Sequence, residues 1–203
     1  MYIKKYELFF ESKSDIDSIC YKYGIRNYTI NDDGAIDVDG SVNLTNSELT
    51  KLPLKFGKVT GDFNCLGNQL TSLEGSPYWV GKDFSCSENN LETLEGCPKW
   101  IGGNFSSTDN NLKTLEGGPE VVIGSYYCSN NQLVNFKGFP EDYENDIFIH
   151  SNPVSKLLID IPRNKENKFI YWCNELNVID DNGNVNDEWM EEVYHKLGLK
   201  YEN

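Results

Sequence analysis

The sequence predicts a solenoid: a curved parallel β-sheet of 21-residue repeats, with few or no helices inside the repeats and an α-helical cap at each end. Two observations carry this. First, residues 61–80, Gly-Asp-Phe-Asn-Cys-Leu-Gly-Asn-Gln-Leu-Thr-Ser-Leu-Glu-Gly-Ser-Pro-Tyr-Trp-Val, come back at a fixed step. Phe63 recurs as Phe84, Phe105 and Tyr126, and Leu70 as Leu91, Leu112 and Leu133. Leu73 recurs as Leu94, Leu115 and Phe136, and Pro77 as Pro98, Pro119 and Pro140. A short fixed period marks units that cannot bury an apolar face alone and must stack. Second, Phe63 and Cys65 stand two apart, so a strand turns both to one face, the core.

The elements follow in chain order. Met1–Glu11 holds no apolar run long enough for a signal peptide. Residues 14–23 read as a helix with Ser14 as N-cap: Ile16, Ile19, Cys20 and Tyr23 recur at three- and four-residue spacing, and Gly24 ends it. Tyr28–Ile30 and Ala35–Val38 read as strands around the turn Asn31-Asp-Asp-Gly34. Helix and hairpin make an N-terminal cap over residues 1–35. The first coil proper carries Val42, Leu44, Leu49 and Leu52, each one full period before its partner in the next.

Inside each coil the chain turns after the strand and leaves backbone groups without ladder partners. Asn68 recurs there as Asn89, Asn110 and Asn131. A buried amide has donors and an acceptor, so it can serve its own turn and its neighbour's. Leu70 and Leu73 close the core, Gly75 permits a tight turn and Pro77 stiffens the return. After Pro140 the period reads as slipping. Asp142–Asp146 is an acidic insertion, and Phe148 falls one residue beyond a full period after Tyr126. Phe148, His150, Asn152, Val154 and Leu157 form a last degenerate coil. The solenoid then spans residues 36–158. Residues 167–178 and 187–198 read as two helices of a C-terminal cap, 159–203, with Asn186 or Asp187 capping the second and Gly198 ending it.

The unit Phe63-x-Cys65-x-x-Asn68-x-Leu70-x-x-Leu73 resembles the leucine-rich repeat, Leu-x-Leu-x-x-Asn-x-Leu, with aromatic and Cys substitutions at the first two core positions. Its extension Leu-Glu-Gly-x-Pro-x-x-Val-Gly is similar to leucine-rich-repeat proteins of large tailed bacteriophages, as is the lead-in over residues 27–40 and 52–59. The resemblance covers roughly residues 25–155 and implies a curved parallel sheet used for contact with proteins. It brings no catalytic residues.

Lysine plus arginine number 18 against 32 acidic residues, a formal charge of −14. That argues against direct binding to nucleic acid or an anionic membrane. No apolar stretch approaches the ~20 residues of a membrane span. The six cysteines contain no Cys-x-x-Cys pair, and three share one core row. Stacked core cysteines behave as small hydrophobes, which fits a reduced, cytoplasmic chain. A metal stripe over Cys65 and Cys86 is the sharper alternative, with neither histidine at ligand spacing. His150 reads as a core residue in the cysteine row. No nucleophile elbow, phosphate loop, zinc-protease or calcium-loop motif occurs, so the chain is expected to be no enzyme and to take no cofactor.

The expected function is that of a protein-binding scaffold, and the resemblance to phage proteins implies that its partner is a host or viral protein inside a bacterium. The outer strand face is mostly small and polar over Asp62, Asn64, Leu66, Asp83, Ser85, Ser87, Asn104, Ser106, Thr108, Ser125 and Ser129. It becomes apolar at Tyr127, Ile147 and Ile149, which are contact candidates unless the C-terminal helices cover them. Trp79 and Trp100, with Tyr78 beside them, are either a stacked structural pair or a partner anchor. Glu74, Glu95 and Glu116 form an acidic rim, read as a solvated edge or as a seat for a cation or basic partner. The competing function is an acidic DNA mimic that inhibits a host DNA-binding enzyme.

Overall fold

The computed structural model describes residues 12–140 and 146–201, with the backbone alone at 142–143. The expectation about the start of the chain, residues 1–11, lies outside the described residues. Helix α1 (Lys13–Lys22) begins slightly earlier than its apolar spacing suggests. Ser12, not Ser14, is the N-cap, because Asp15 stands three residues on and completes a capping box. Strands β1 (Tyr28–Ile30) and β2 (Ile36–Val38) form the antiparallel hairpin.

From β2 onward the chain winds as a parallel β-solenoid, and each coil contributes to two sheets rather than one. One sheet continues from β2 through β4 (Phe56–Val59), β6 (Trp79–Val80), β8 (Trp100–Ile101), β10 (Val121–Val122) and β12 (Asp142–Tyr143). The other runs through β3 (Val42–Asn43), β5 (Phe63–Asn64), β7 (Phe84–Ser85), β9 (Phe105–Ser106), β11 (Tyr126–Tyr127) and β13 (Ile147–Phe148). Sequence spacing alone makes the segment after Pro77 a plain return. Its Trp-Val pair is a strand because Val80 faces the core and Trp79 faces out, the alternation a half-buried strand requires.

The core lies between the two sheets. Val59, Val80, Ile101 and Val122 face it from one side and Phe63, Phe84, Phe105 and Tyr126 from the other, with the Leu70 and Leu73 rows closing the third. Phe63, Phe84 and Phe105 stack on one another at centroid spacings of 5.6 and 6.0 Å. The asparagine row behaves as its chemistry demands. Asn89 Nδ2 donates to the carbonyls of Cys65, Cys86 and Ser87, each at 3.0 Å, and its Oδ1 accepts from Leu70 N at 2.9 Å. Each amide thus ties its own coil to the one before it. A second ladder runs where the chain passes from one sheet to the other. Asn104 N donates to Asp83 Oδ1 at 2.7 Å, and Ser125 N to Asn104 Oδ1 at 2.9 Å.

One glycine row is left-handed throughout. Gly75, Gly96, Gly117 and Gly138 have φ of 91°, 87°, 84° and 83°. A Cβ at Gly96 would also sit 2.9 Å from the Leu73 carbonyl, so conformation and space both demand glycine.

The period does not slip after Pro140. Ile147 pairs with Tyr126 and Phe148 with Tyr127, the same one-period offset as in every earlier coil. Residues 144 and 145 of the expected acidic insertion lie outside the described residues, but this register leaves no extra residue between the strands. Asn152 consequently takes the next place in the amide ladder, donating to the Cys128 and Ile149 carbonyls and accepting from Leu133 N.

A 3-10 turn (Pro153–Leu158) leads to α2 (Arg163–Glu175) and α3 (Asp187–Lys196). Helix α2 starts at Arg163 rather than at 167, because Pro162 supplies its N-cap, φ −57°. Asn186 caps α3 by accepting from Trp189 N. Phe169 of α2 meets Phe136 of the last full coil edge-on at 6.0 Å, and Asn174 Nδ2 donates to the Phe136 carbonyl. Val193 and Leu197 are buried, whereas Trp189 is 45% exposed. Among the described residues no helix is long and apolar enough to cross a membrane.

Candidate protein-contact site

The outer face of the sheet that ends in β13 is built by one row: Asn43, Asn64, Ser85, Ser106, Tyr127 and Phe148. The row beside it is Leu66, Ser87, Thr108, Ser129 and His150. The first four coils put only Asn43, Asn64, Ser85 and Ser106 in the central row, and Ser87 and Ser129, expected on the surface, are buried at its margin. Ser87 Oγ meets Ser106 Oγ at 2.7 Å, so short hydroxyl contacts close over the backbone. The character changes in the last two coils. Tyr127 and Phe148 stack face to face at 4.6 Å and 2°. Among the described residues no strand follows β13 in the sheet, so Phe148 has no ring neighbour from a further coil on its far side.

This register corrects three readings. Ile149, expected outside, stands in the cysteine row, two from Ile147, and is buried at 6% exposure. Ile147 belongs to the core row of Phe63 and Tyr126 and is half-buried. His150, expected in the core, is exposed and its Nδ1 lies 3.1 Å from Ser129 Oγ. Tyr127 keeps its outward place. Phe148, which a slipped period assigns to the core, is its partner.

Beside β13 lies a cleft of about 560 Å³, lined by Asp146–His150, by Leu158 and Ile159, and by Arg163 and Glu166 of α2. Ile159 is 77% exposed. Partial burial pushes the Glu166 carboxyl above its ordinary range, against the pull of Arg163 and with a further push from Asp146.

The tryptophan pair is built differently. Trp79 and Trp100 stack at 4.9 Å and 3°, and Lys58 Nζ sits 4.2 Å over the free face of Trp79. The far edge of each indole lies on the next-but-one residue, Gly81 or Gly102, where a Cβ would stand 3.0 or 2.8 Å from the ring. Stacked rings that lean on glycines with a cation on one end have little face left for a partner. Tyr78, one residue before, is 62% exposed.

Glu74, Glu95 and Glu116 are exposed in one row, and the row continues as Lys137, which pairs with Asp181. All six cysteines are free and buried. Burial pushes the thiols of Cys65 and Cys173 up to about 12 and raises those of Cys86, Cys97 and Cys128 as well. They are packing groups, not thiolates. Among the described residues no cluster of three or more histidine, cysteine or acidic side chains is placed to hold a metal.

Neither a family model, a characterised protein nor a solved structure matches the chain.

Proposed function

We propose that this chain is a binding scaffold for another protein, and that its contact surface is the end of the solenoid marked by Tyr127 and Phe148. One observation carries the reading. Hot spots need large side chains that lose water on contact, and apart from a lone Leu66 the outer face offers small polar groups until the Tyr127–Phe148 stack, beside which Ile159 is exposed. The helices at the two ends act as caps that keep the stacked core from water. The likeness of the repeat to leucine-rich repeats of large tailed phages supports a host or viral protein as the partner.

The acidic-mimic reading has less support. Its regular row of carboxylates is only three coils long before Lys137 replaces the next glutamate. The test is affinity capture of the partner, followed by binding measurements at low and high salt. Tyr127→Ala or Phe148→Ala should weaken the complex by roughly 2 kcal/mol with little salt dependence. Changing Glu74, Glu95 and Glu116 together to Gln should slow association and leave dissociation alone. Steep loss with salt and abolition by the triple Gln variant would instead favour the mimic.

A further inference from the structure

The cleft beside β13 is also the open edge of a sheet. In every inner coil the residues in the rows of Phe63, Cys65 and Gly67 donate their N–H groups forward to the next coil. Phe105 N reaches Ser125 O, Ser107 N reaches Tyr127 O and Asp109 N reaches Ser129 O. Tyr126, Cys128 and Asn130 do the same to Asp146, Phe148 and His150. By that register Ile147, Ile149 and Ser151 aim their N–H groups beyond the last coil among the described residues. None of the three has an acceptor among the described residues. Three donors at two-residue spacing line about 13 Å of chain, from β13 to the turn at Ser151, φ 59°.

The C-terminal helices do not close it. Their contacts with the last coils fall on the Phe136 and Asn135 side: Phe169 and Asn174 on Phe136, and the Asp180 carbonyl on Asn135 Nδ2. Between β13 and α2 the cleft stays open. An unpaired edge of this kind is a template for another strand unless something blunts it. Here no proline or lysine interrupts Ile147–Ser151.

We propose that this cleft binds an extended peptide segment of the partner, which adds to β13 as the next strand of the sheet. The inference rests on the contact surface proposed above and specifies how that surface is used. A strand laid there would set alternate side chains over Phe148, extending the Tyr127–Phe148 stack, so an aromatic or large apolar residue fits that position. The cleft's ionisable walls are Asp146, His150, Glu166 and Arg163, and the whole chain carries −14. Excess negative charge selects a segment with lysine or arginine at the flanking positions. The same charge opposes a second copy of this chain as the occupant.

The experiment uses a displayed library of random dodecapeptides selected on the full chain, with Phe148→Ala as the counter-selection. Recovered peptides are synthesised and N-methylated one amide at a time. Strand addition predicts an alternation: methylating amides of one parity weakens binding by about tenfold or more, and of the other parity hardly at all. It also predicts that the Ile147, Ile149 and Ser151 amides become protected from hydrogen exchange when the peptide binds. Peptides lost with Phe148→Ala but indifferent to the parity of methylation would overturn strand addition while leaving the contact surface standing. Recovery of no peptide that distinguishes the chain from Phe148→Ala would overturn both. Self-association through β13, seen as a dimer whose formation protects the same amides, would overturn the choice of a foreign segment.

Discussion

Replacing Asn89 by alanine should unfasten two coils at once. Its Oδ1 is the acceptor of the Leu70 N–H, so Asn89→Ala leaves that buried donor with nothing. The carbonyls it serves fare better. Cys65 O keeps a bond from Asn68 Nδ2, and Cys86 O keeps one from Asn110 Nδ2. The loss is therefore one orphaned buried donor plus the bonds to shared acceptors, about 2–4 kcal/mol. Asn64→Ala is the control. Asn64 is half-exposed on the outer face and its Oδ1 accepts only from Leu66 N, at 3.0 Å. That change should cost about 0.5–1 kcal/mol. For a chain of this size the expected fall in Tm is about 5–15 °C for Asn89→Ala and at most about 4 °C for Asn64→Ala. Thermal unfolding followed by far-UV circular dichroism reads both. Equal shifts in the two variants would refute the account of the amide ladder.

Three further outcomes are expected. Gly96→Ala, forced to φ near +87° with its Cβ against the Leu73 carbonyl, should cost at least about 2 kcal/mol in urea unfolding; a neutral result would mean the turn can relax. Trp79→Ala with Trp100→Ala removes a stacked pair and its cover over Gly81 and Gly102, and should cost about 2–4 kcal/mol of stability while leaving partner affinity unchanged; weakened binding by a folded variant would restore the pair as an anchor. The thiol of Cys65 is neutral in the fold and raised to about 12. Its contribution is complete below the unfolded thiol pKa of about 8.5 and drains away as pH rises towards the folded value, by about 1.4 kcal/mol per pH unit. Tm should then fall above pH ~9 and fall less steeply in Cys65→Ala. A Tm flat to pH ~10.5 would contradict the burial of the thiol row.

Much of this architecture can be read from the repeat period, because stacked identical units make sequence spacing equal to spatial neighbourhood. Asn68, Asn89, Asn110 and Asn131 show the amide ladder in advance for that reason. The second sheet is hidden because its later strands, β6, β8, β10 and β12, are two residues long and follow a proline, where Tyr78-Trp79-Val80 gives too little alternation to register. The end of the solenoid is obscured by a different cause. Phe148 looks like the natural successor of Tyr126, and taking the aromatic as the marker imposes a shift. The amide is the stricter marker. Asn152 lies one full period after Asn131, and its bonds to both its own coil and the one before demand a side-chain amide, whereas Ile147 can replace a core aromatic. One shifted residue turns every side chain of a strand over, so that single choice places Ile149 outside and Phe148 inside. Ile159 carries no sequence signal at all, since its exposure depends on where the 3-10 turn leaves the coil.

The contact surface is tested most directly by site-specific crosslinking. A photo-reactive phenylalanine analogue is placed in turn at Phe148, Tyr78 and Glu95 of the full chain, which is then exposed to the affinity-captured partner. The account predicts a crosslinked partner at position 148 and little at 78 or 95. Crosslinks at 95 with none at 148 would contradict it.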